Sequence, residues 1–304
     1  MTSVFIDGAA GTTGLEIRDR LAGRSDLTVV VLDEARRKDA VARAEALNDA
    51  DFVILCLPDD AAREAVELIR NERTRVIDAS SAHRVAHGWT YGFPELGFDV
   101  ASAKRVSNPG CYPTGFLALV APLVRAGLIP SDWPYTVNAV SGYSGGGKEL
   151  IERFEGAPDP AFRGYGFSLA HKHVPEMQLH AGLAHPPLFA PSVTRAHRGM
   201  IVEVPLALSA MPDAPTRDRL LSGLAAAFDG CELIRVHAEQ PGELLLHRHG
   251  APSDMLHLFV FADPASRQAR LVATLDNLGK GAAGAAIQSL NLMAGLDPLA
   301  GLIV

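Results

Sequence analysis

The sequence predicts an α/β protein: a doubly wound parallel sheet of the Rossmann type, followed by a second α+β domain whose sheet is mixed and mostly antiparallel. Three observations carry that expectation. Short β-branched runs alternate with longer amphipathic ones through the first third of the chain. A G-x-x-G-x-x-G loop, Gly8 to Gly14, directly follows the first apolar run. From about Asn108 onward the apolar runs lengthen and the helical spacing becomes sparse.

Taken in order, Val4–Ile6, Thr28–Leu32, Phe52–Leu57 and Val76–Asp78 read as strands, and the unbroken apolar run Val53 to Leu57 belongs at the sheet centre, where both faces are covered. Helical spacing covers Gly14–Ala22, Asp39–Asn48 and Asp60–Glu72, with Asp59 or Asp60 as the cap of the last. A long helix, Pro113–Ala126, then opens the second domain. Strands follow at Tyr135–Val140, Met200–Leu208, Leu233–His237, Leu256–Phe261 and Leu271–Leu275, with helices at Pro175–Leu183, Thr216–Phe228 and Gly281–Ala294. The expected division is 1–108, 109–278, and a C-terminal segment 279–304 that packs back on the first domain.

A hydrophobic content of 48% with 21% charged residues excludes a disordered or fibrous chain. The 28 basic against 35 acidic residues, a net charge of −7, oppose broad binding to nucleic acid or anionic membrane, although a small anion can still find a local basic pocket. Cys56, Cys111 and Cys231 are odd in number and far apart, which argues against a disulfide framework. The apolar stretch Gly115 to Val124 is about half a membrane span, and the chain starts on a strand-like segment without a signal-peptide pattern, so a cytoplasmic protein is expected.

The glycine loop joins a strand to a helix, so Gly8, Gly11 and Gly14, with Thr12 and Thr13 between them, form a candidate pyrophosphate cradle on a helix N-terminus. Asp33, past the second strand, suits a ribose 2′-hydroxyl as in NAD sites, whereas Arg36-Arg37-Lys38 suit a 2′-phosphate or simply a solvated helix start. In Asn108-Pro109-Gly110-Cys111-Tyr112-Pro113 the Gly/Pro frame sets Cys111 in or beside the first turn of the long helix. There the dipole and peptide N–H groups favour a thiolate, and the same N–H groups can stabilise an oxyanion. Cys56 and Cys231 read as small buried apolar residues. His171 and His173, placed on one face of an extended segment, suit acid/base and substrate-binding work. A metal site built with His180 and His185 is the competing use, disfavoured because no carboxylate beyond Glu176 stands at ligand spacing. Ser141 to Lys148 reads as a polar glycine loop able to gather N–H groups and Lys148 around an anion.

A dinucleotide fold, an activated cysteine and a histidine together point to thioester chemistry coupled to hydride transfer. The sequence also resembles the short form of the N-acetyl-γ-glutamyl-phosphate reductases, within the aspartate-semialdehyde-dehydrogenase-like group. The matching segments are Gly8–Gly14, Asp78-Ala-Ser-Ser-Ala-His-Arg84, Ser107–Thr114, Ser141–Lys148, His171–Glu176 and Asp276–Ala282. The resemblance implies NADPH at Gly8 to Gly14 and Asn277 facing the nicotinamide; Arg36 and Lys38 of the basic cluster and Pro58 are further cofactor-binding candidates. It implies an acyl-enzyme on Cys111, His173 as acid/base with His171 nearby, and Arg84 and Lys148 as anion-binding residues. Asn108 and Glu176 join the substrate-binding candidates. An acyl phosphate substrate is implied by the resemblance, while the long strands of the second domain and the apolar run Leu256 to Phe261 suit a sheet that pairs across subunits in a homodimer or homotetramer; no bound metal is expected. The chain departs from the longer family form at Ala82-His83, where that form has Asp-Phe. Competing readings are an aspartate-semialdehyde dehydrogenase, a reductase of a carrier-linked aminoadipyl phosphate, and an NADPH-binding redox regulator without turnover.

Overall fold

The computed structural model describes residues 1–265 and 267–304 and divides into two compact units, one formed by Met1–Pro109 with Ala282–Ile303, the other by Gly110–Gly281. Among the described residues no helix is long and apolar enough to cross a membrane.

In the first unit β1 (Thr2–Asp7), α1 (Thr12–Leu21), β2 (Leu27–Val30), α2 (Ala40–Asp49), β3 (Phe52–Leu55), α3 (Asp59–Leu68), β4 (Arg75–Asp78), β5 (Thr90–Tyr91) and β6 (Arg105–Ser107) follow one another. The sheet is parallel throughout, in the order β2-β1-β3-β4-β6-β5. Strand periodicity sorts the core into two layers. Val4, Ile6, Ile54 and Ile77 pack with Ile17 of α1 and with Ile287 and Leu290 of the C-terminal helix Gly284–Ala294. Phe5, Val53 and Leu55 face the other way, onto Leu47, Ala62 and Ala65 of α2 and α3. Covering both faces is what lets parallel strands run continuously apolar.

Two expectations need correction here. Neither Asp59 nor Asp60 caps α3: Pro58 holds the N-cap position, the Asp59 carboxylate accepts from the N–H and Oγ of Ser81, and Asp60 pairs with Arg63. The helix also ends at Leu68 rather than Glu72, because Asn48 draws the chain away: its Oδ1 accepts the Arg70 N–H at 2.8 Å. Strands β5 and β6 were not expected; at two and three residues they are too short to show a period.

The second unit begins with α4 (Cys111–Arg125) and continues through β7 (Thr136–Gly142), α5 (Gly147–Glu155), β8 (Phe162–Gly164), α6 (Val174–Ala181), β9 (Leu188–Thr194), β10 (Met200–Leu206), α7 (Arg217–Ala227), β11 (Ile234–His237), β12 (Leu256–Asp263) and β13 (Gln268–Leu275). The order is β11-β12-β13-β10-β7-β9-β8, antiparallel except for the β11–β12 and β7–β9 pairs. Helix α4 is buried nearly all round, and Gly115 lets it approach β10: a Cβ there would lie 2.9 Å from Val202 Cγ2. Strand β9 escaped the sequence because Pro191 interrupts its pattern, and α5 because the glycines before it read as loop.

Candidate active site

In the first unit the loop after β1 is shaped by contact with β3. Gly8 has φ +86°, and a Cβ on it would fall 2.3 Å from the Cys56 carbonyl oxygen; one on Gly14 would fall 2.5 Å from the Gly8 oxygen. Only glycine fits either position. Gly11 caps α1, accepting the Leu15 N–H, and Thr12 and Thr13 form the helix start. The Thr12 hydroxyl is buried with no hydrogen-bond partner among the described residues, which fits a ligand oxygen at this N-terminus.

Beside the loop a cavity of about 300 Å³ is lined by Asp7, Gly8, Arg37, Lys38, Arg43 and Leu57. Arg36 lies apart from it, 3.8 Å from Glu45, and Asp33 accepts the Arg36 N–H, closing the turn after β2. Arg43 was missed by sequence reading: it reaches from α2 to bond Asp7 Oδ2 at 2.8 Å, across 36 residues of chain that carry no signal of the pairing. Pro58 sits at the start of α3. Burial, with Asp78 and Asp7 adding, pushes the Cys56 thiol up to about 12.

Also in the first unit, Arg84 is buried and donates from Nε to the Asn108 carbonyl at 2.9 Å. Asn108 donates its side-chain N–H to the Ala282 carbonyl, while its Oδ1 is buried without a partner among the described residues.

In the second unit Cys111 is the first residue of α4, with Gly110 as extended N-cap. Pro113 removes one of the N–H groups of the first turn, and the Gly110 N–H donates to Glu176 Oε2 at 3.1 Å. Glu176 is 1% exposed, and its Oε1 lies 3.9 Å from His173 Nε2. His173 is the N-cap residue of α6, in a turn rather than the extended segment expected, because His171 Nδ1 accepts the His173 N–H and bends the chain. The two rings still meet, edge to face with centroids 4.7 Å apart.

Tyr112 packs against both histidines and donates its hydroxyl to the Ser192 carbonyl; burial holds its pKa well above the usual value. Gly281 lies against the cysteine, since a Cβ on it would come within 2.8 Å of Cys111 Cβ. Tyr112 and Gly281 were also missed, because their roles are set by packing alone. Lys148 projects exposed from the first turn of α5. Asn277 uses its amide within this unit, Nδ2 donating to Ser144 Oγ and Oδ1 accepting the Gly199 N–H. Among the described residues no cluster of His, Cys, Asp and Glu is set to hold a metal ion.

Family models described as "semialdehyde dehydrogenase, NAD binding domain" and "semialdehyde dehydrogenase, dimerisation domain" match residues 3–142 and 111–277. The fold is that of aspartate semialdehyde dehydrogenase from Francisella tularensis, with TM-score 0.73 and 12% identity over 97% of this chain and 100% of that one. The enzyme "with NADP" from Candida albicans gives a TM-score of 0.66 at 14% identity over 97% and 98%. Fold and site thus define a dehydrogenase of the semialdehyde type. N-acetyl-gamma-glutamyl-phosphate reductase of Trichormus variabilis is 47% identical over 98% of both chains, and that of Chelativorans sp. is 50% identical over 95% of this chain and 97% of its own. The chain belongs to the N-acetyl-gamma-glutamyl-phosphate reductase family.

Proposed function

We propose that the chain is an NADPH-dependent oxidoreductase of arginine biosynthesis, reducing N-acetyl-γ-glutamyl phosphate to N-acetylglutamate 5-semialdehyde with release of phosphate. The name carried by relatives 47% and 50% identical over nearly the whole chain supports the substrate. The observation that carries the chemistry is Cys111 as the opening residue of the fifteen-residue helix α4, where the peptide dipoles favour the thiolate.

The Cys111 thiolate attacks the acyl carbon, the carbon–oxygen bond to phosphate breaks, and a thioester remains. Gly8, Gly11, Thr12, Thr13 and Gly14 hold the pyrophosphate of NADPH, with Arg37 and Lys38 on the cavity wall suited to its 2′-phosphate and Arg43 beside them. When bound, that cofactor supplies a hydride to the thioester carbonyl. The first-turn N–H groups of α4 stabilise charge on the carbonyl oxygen. His173 gives the one proton consumed per turnover to the departing phosphate, and after hydride addition the oxyanion re-forms the carbonyl as the carbon–sulfur bond breaks and the Cys111 thiolate is restored. His171 orients His173 through its bond to the His173 N–H. Arg84, Asn108 and Lys148 hold the substrate's anionic groups, and Glu176 secures the cysteine turn. The protein works in the cytoplasm as a homodimer or homotetramer, assembling through the second unit, which matches the dimerisation-domain model.

Incubation with the acyl phosphate and no NADPH should leave an acyl adduct on Cys111, visible by peptide mass spectrometry. Cys111→Ser should lose more than about 1,000-fold in turnover. Phosphate-dependent oxidation should favour N-acetylglutamate semialdehyde over aspartate semialdehyde. No adduct on Cys111, or undiminished turnover in the serine variant, would refute the mechanism; preference for aspartate semialdehyde would refute the substrate.

A further inference from the structure

Asp78, the last residue of β4, has no exposed surface. A carboxylate at such a depth is costly unless donors surround it. Here they do: Ser80 gives its N–H to Oδ1 at 2.9 Å and its hydroxyl to Oδ2 at 2.7 Å, and His83 Nδ1 lies 2.6 Å from Oδ2. With an ionised carboxylate the histidine is the donor. The His83 ring is held from the other side by Trp89, stacked at 4.0 Å and 13°. The segment 78–83 is thereby wrapped around one carboxylate, and its far end is fixed to α3 through Ser81 and Asp59.

The next residue is Arg84, which the wrap delivers to the Asn108 carbonyl. Asp78 also fixes the acceptor's residue, since its own main-chain carbonyl takes the Asn108 N–H at 2.8 Å. One aspartate therefore sets both partners of the Arg84–Asn108 contact, its main chain holding Asn108 and its side chain, through His83, holding Arg84. The Asn108 Oδ1, buried and without a partner among the described residues, belongs to the same residue that anchors Arg84.

We infer that Asp78 and His83 are positioning residues that hold Arg84 for the anionic end of the substrate, through the His83–Asp78 hydrogen bond rather than through the bulk of the ring. The inference rests on the reading of Arg84 as a substrate-binding residue. It separates the two things His83 offers, a donor and a stacking face. His83→Phe keeps the stack on Trp89 and deletes the donor, whereas His83→Asn keeps a short donor and deletes most of the stack.

Steady-state oxidation of N-acetylglutamate semialdehyde with phosphate and NADP, on the full-length protein, reads both. In His83→Phe the KM for semialdehyde or for phosphate should rise about tenfold, with kcat within about twofold, as expected for loss of one charge-assisted hydrogen bond that orients a binding group. His83→Asn should restore KM to within about threefold of the parent. The Kd for NADPH, by fluorescence, should not move in either variant. In an Arg84→Gln background, His83→Phe should add nothing further.

The inference is overturned if Arg84→Gln raises KM and His83→Phe does not; the reading of Arg84 then stands without it. It is overturned together with that reading if Arg84→Gln leaves KM unchanged. Equal impairment of His83→Phe and His83→Asn, tracking a common loss of melting temperature, overturns it in favour of a purely structural wrap.

Discussion

The Gly110 N–H donates to Glu176 Oε2 at 3.1 Å, so the residue capping the cysteine helix is secured by a carboxylate from the first turn of α6. The other oxygen of Glu176 lies at ion-pair rather than hydrogen-bond distance from His173. Glu176→Ala strips a buried N–H of its acceptor, a loss of about 1–3 kcal/mol that falls where the cysteine is aimed. We expect kcat/KM to drop by about 10- to 100-fold, with Glu176→Gln, which keeps an acceptor oxygen, losing less. Steady-state kinetics beside melting curves separate misaiming from unfolding.

Two glycines of the nucleotide loop should answer differently to the same methyl group. At Gly8 an added Cβ meets the Cys56 oxygen at 2.3 Å on a backbone of φ +86°; at Gly11 the nearest atom is 3.5 Å away. Gly8→Ala should cost more than about 2 kcal/mol in stability and abolish NADPH binding. Gly11→Ala should melt near the parent temperature yet bind NADPH more weakly, because its methyl occupies the space a pyrophosphate needs. Equal melting temperatures for the two variants would contradict the loop geometry.

Thiol reagents offer a third check. The Cys56 thiol, held up at about 12 by burial and by Asp78 and Asp7, stays protonated at neutral pH and does not attack an alkylating agent. Brief iodoacetamide treatment at pH 7.5 should therefore label Cys111 and spare Cys56 in peptide mass spectra. Labelling of Cys56 at a comparable rate would mean that the end of β3 opens readily.

His237 on β11 and His257 on β12 share a hydrogen bond at 3.0 Å, and His237 stacks on Phe259. Burial lowers both pKa values below the ordinary 6.5; Arg235 lowers both further, His237 adds to the effect on His257, and Glu239 opposes it at His237. The unfolded chain therefore takes up protons first on acidification. Stability is full above the unfolded value, falls as pH drops from 6.5 through the lowered folded values, and then levels off. Urea midpoints at pH 7.5 and 5.0 should show this decline, and His257→Gln should flatten it.

The sheet layers were legible from sequence because Val4, Phe5 and Ile6, and then Val53 to Leu57, alternate faces that are both apolar, a pattern only a doubly covered sheet satisfies. Cys111 was legible because Pro109, Gly110 and Pro113 dictate a helix start around it. What stayed hidden depended on distant partners. Arg43 finds Asp7, Gly281 yields to Cys111, and β9 tolerates Pro191, whose carbonyl accepts the Tyr165 N–H. His171 and His173 were expected on one extended face; their rings meet because a turn brings them together.

The C-terminal helix supplies Ala283, Ala286, Ile287, Leu290 and Met293 to the same apolar layer as Val4 and Ile6. During synthesis the first unit thus waits, with one side of its sheet covered only in part by α1, until the ribosome has passed Ala294, while the intervening unit has all its strands in hand sooner. Nascent chains halted shortly before Ala282 should engage hydrophobic-binding chaperones through their amino-terminal portion, and removal of Ala282–Ile303 should be felt first in the strands laid down at the start of the chain.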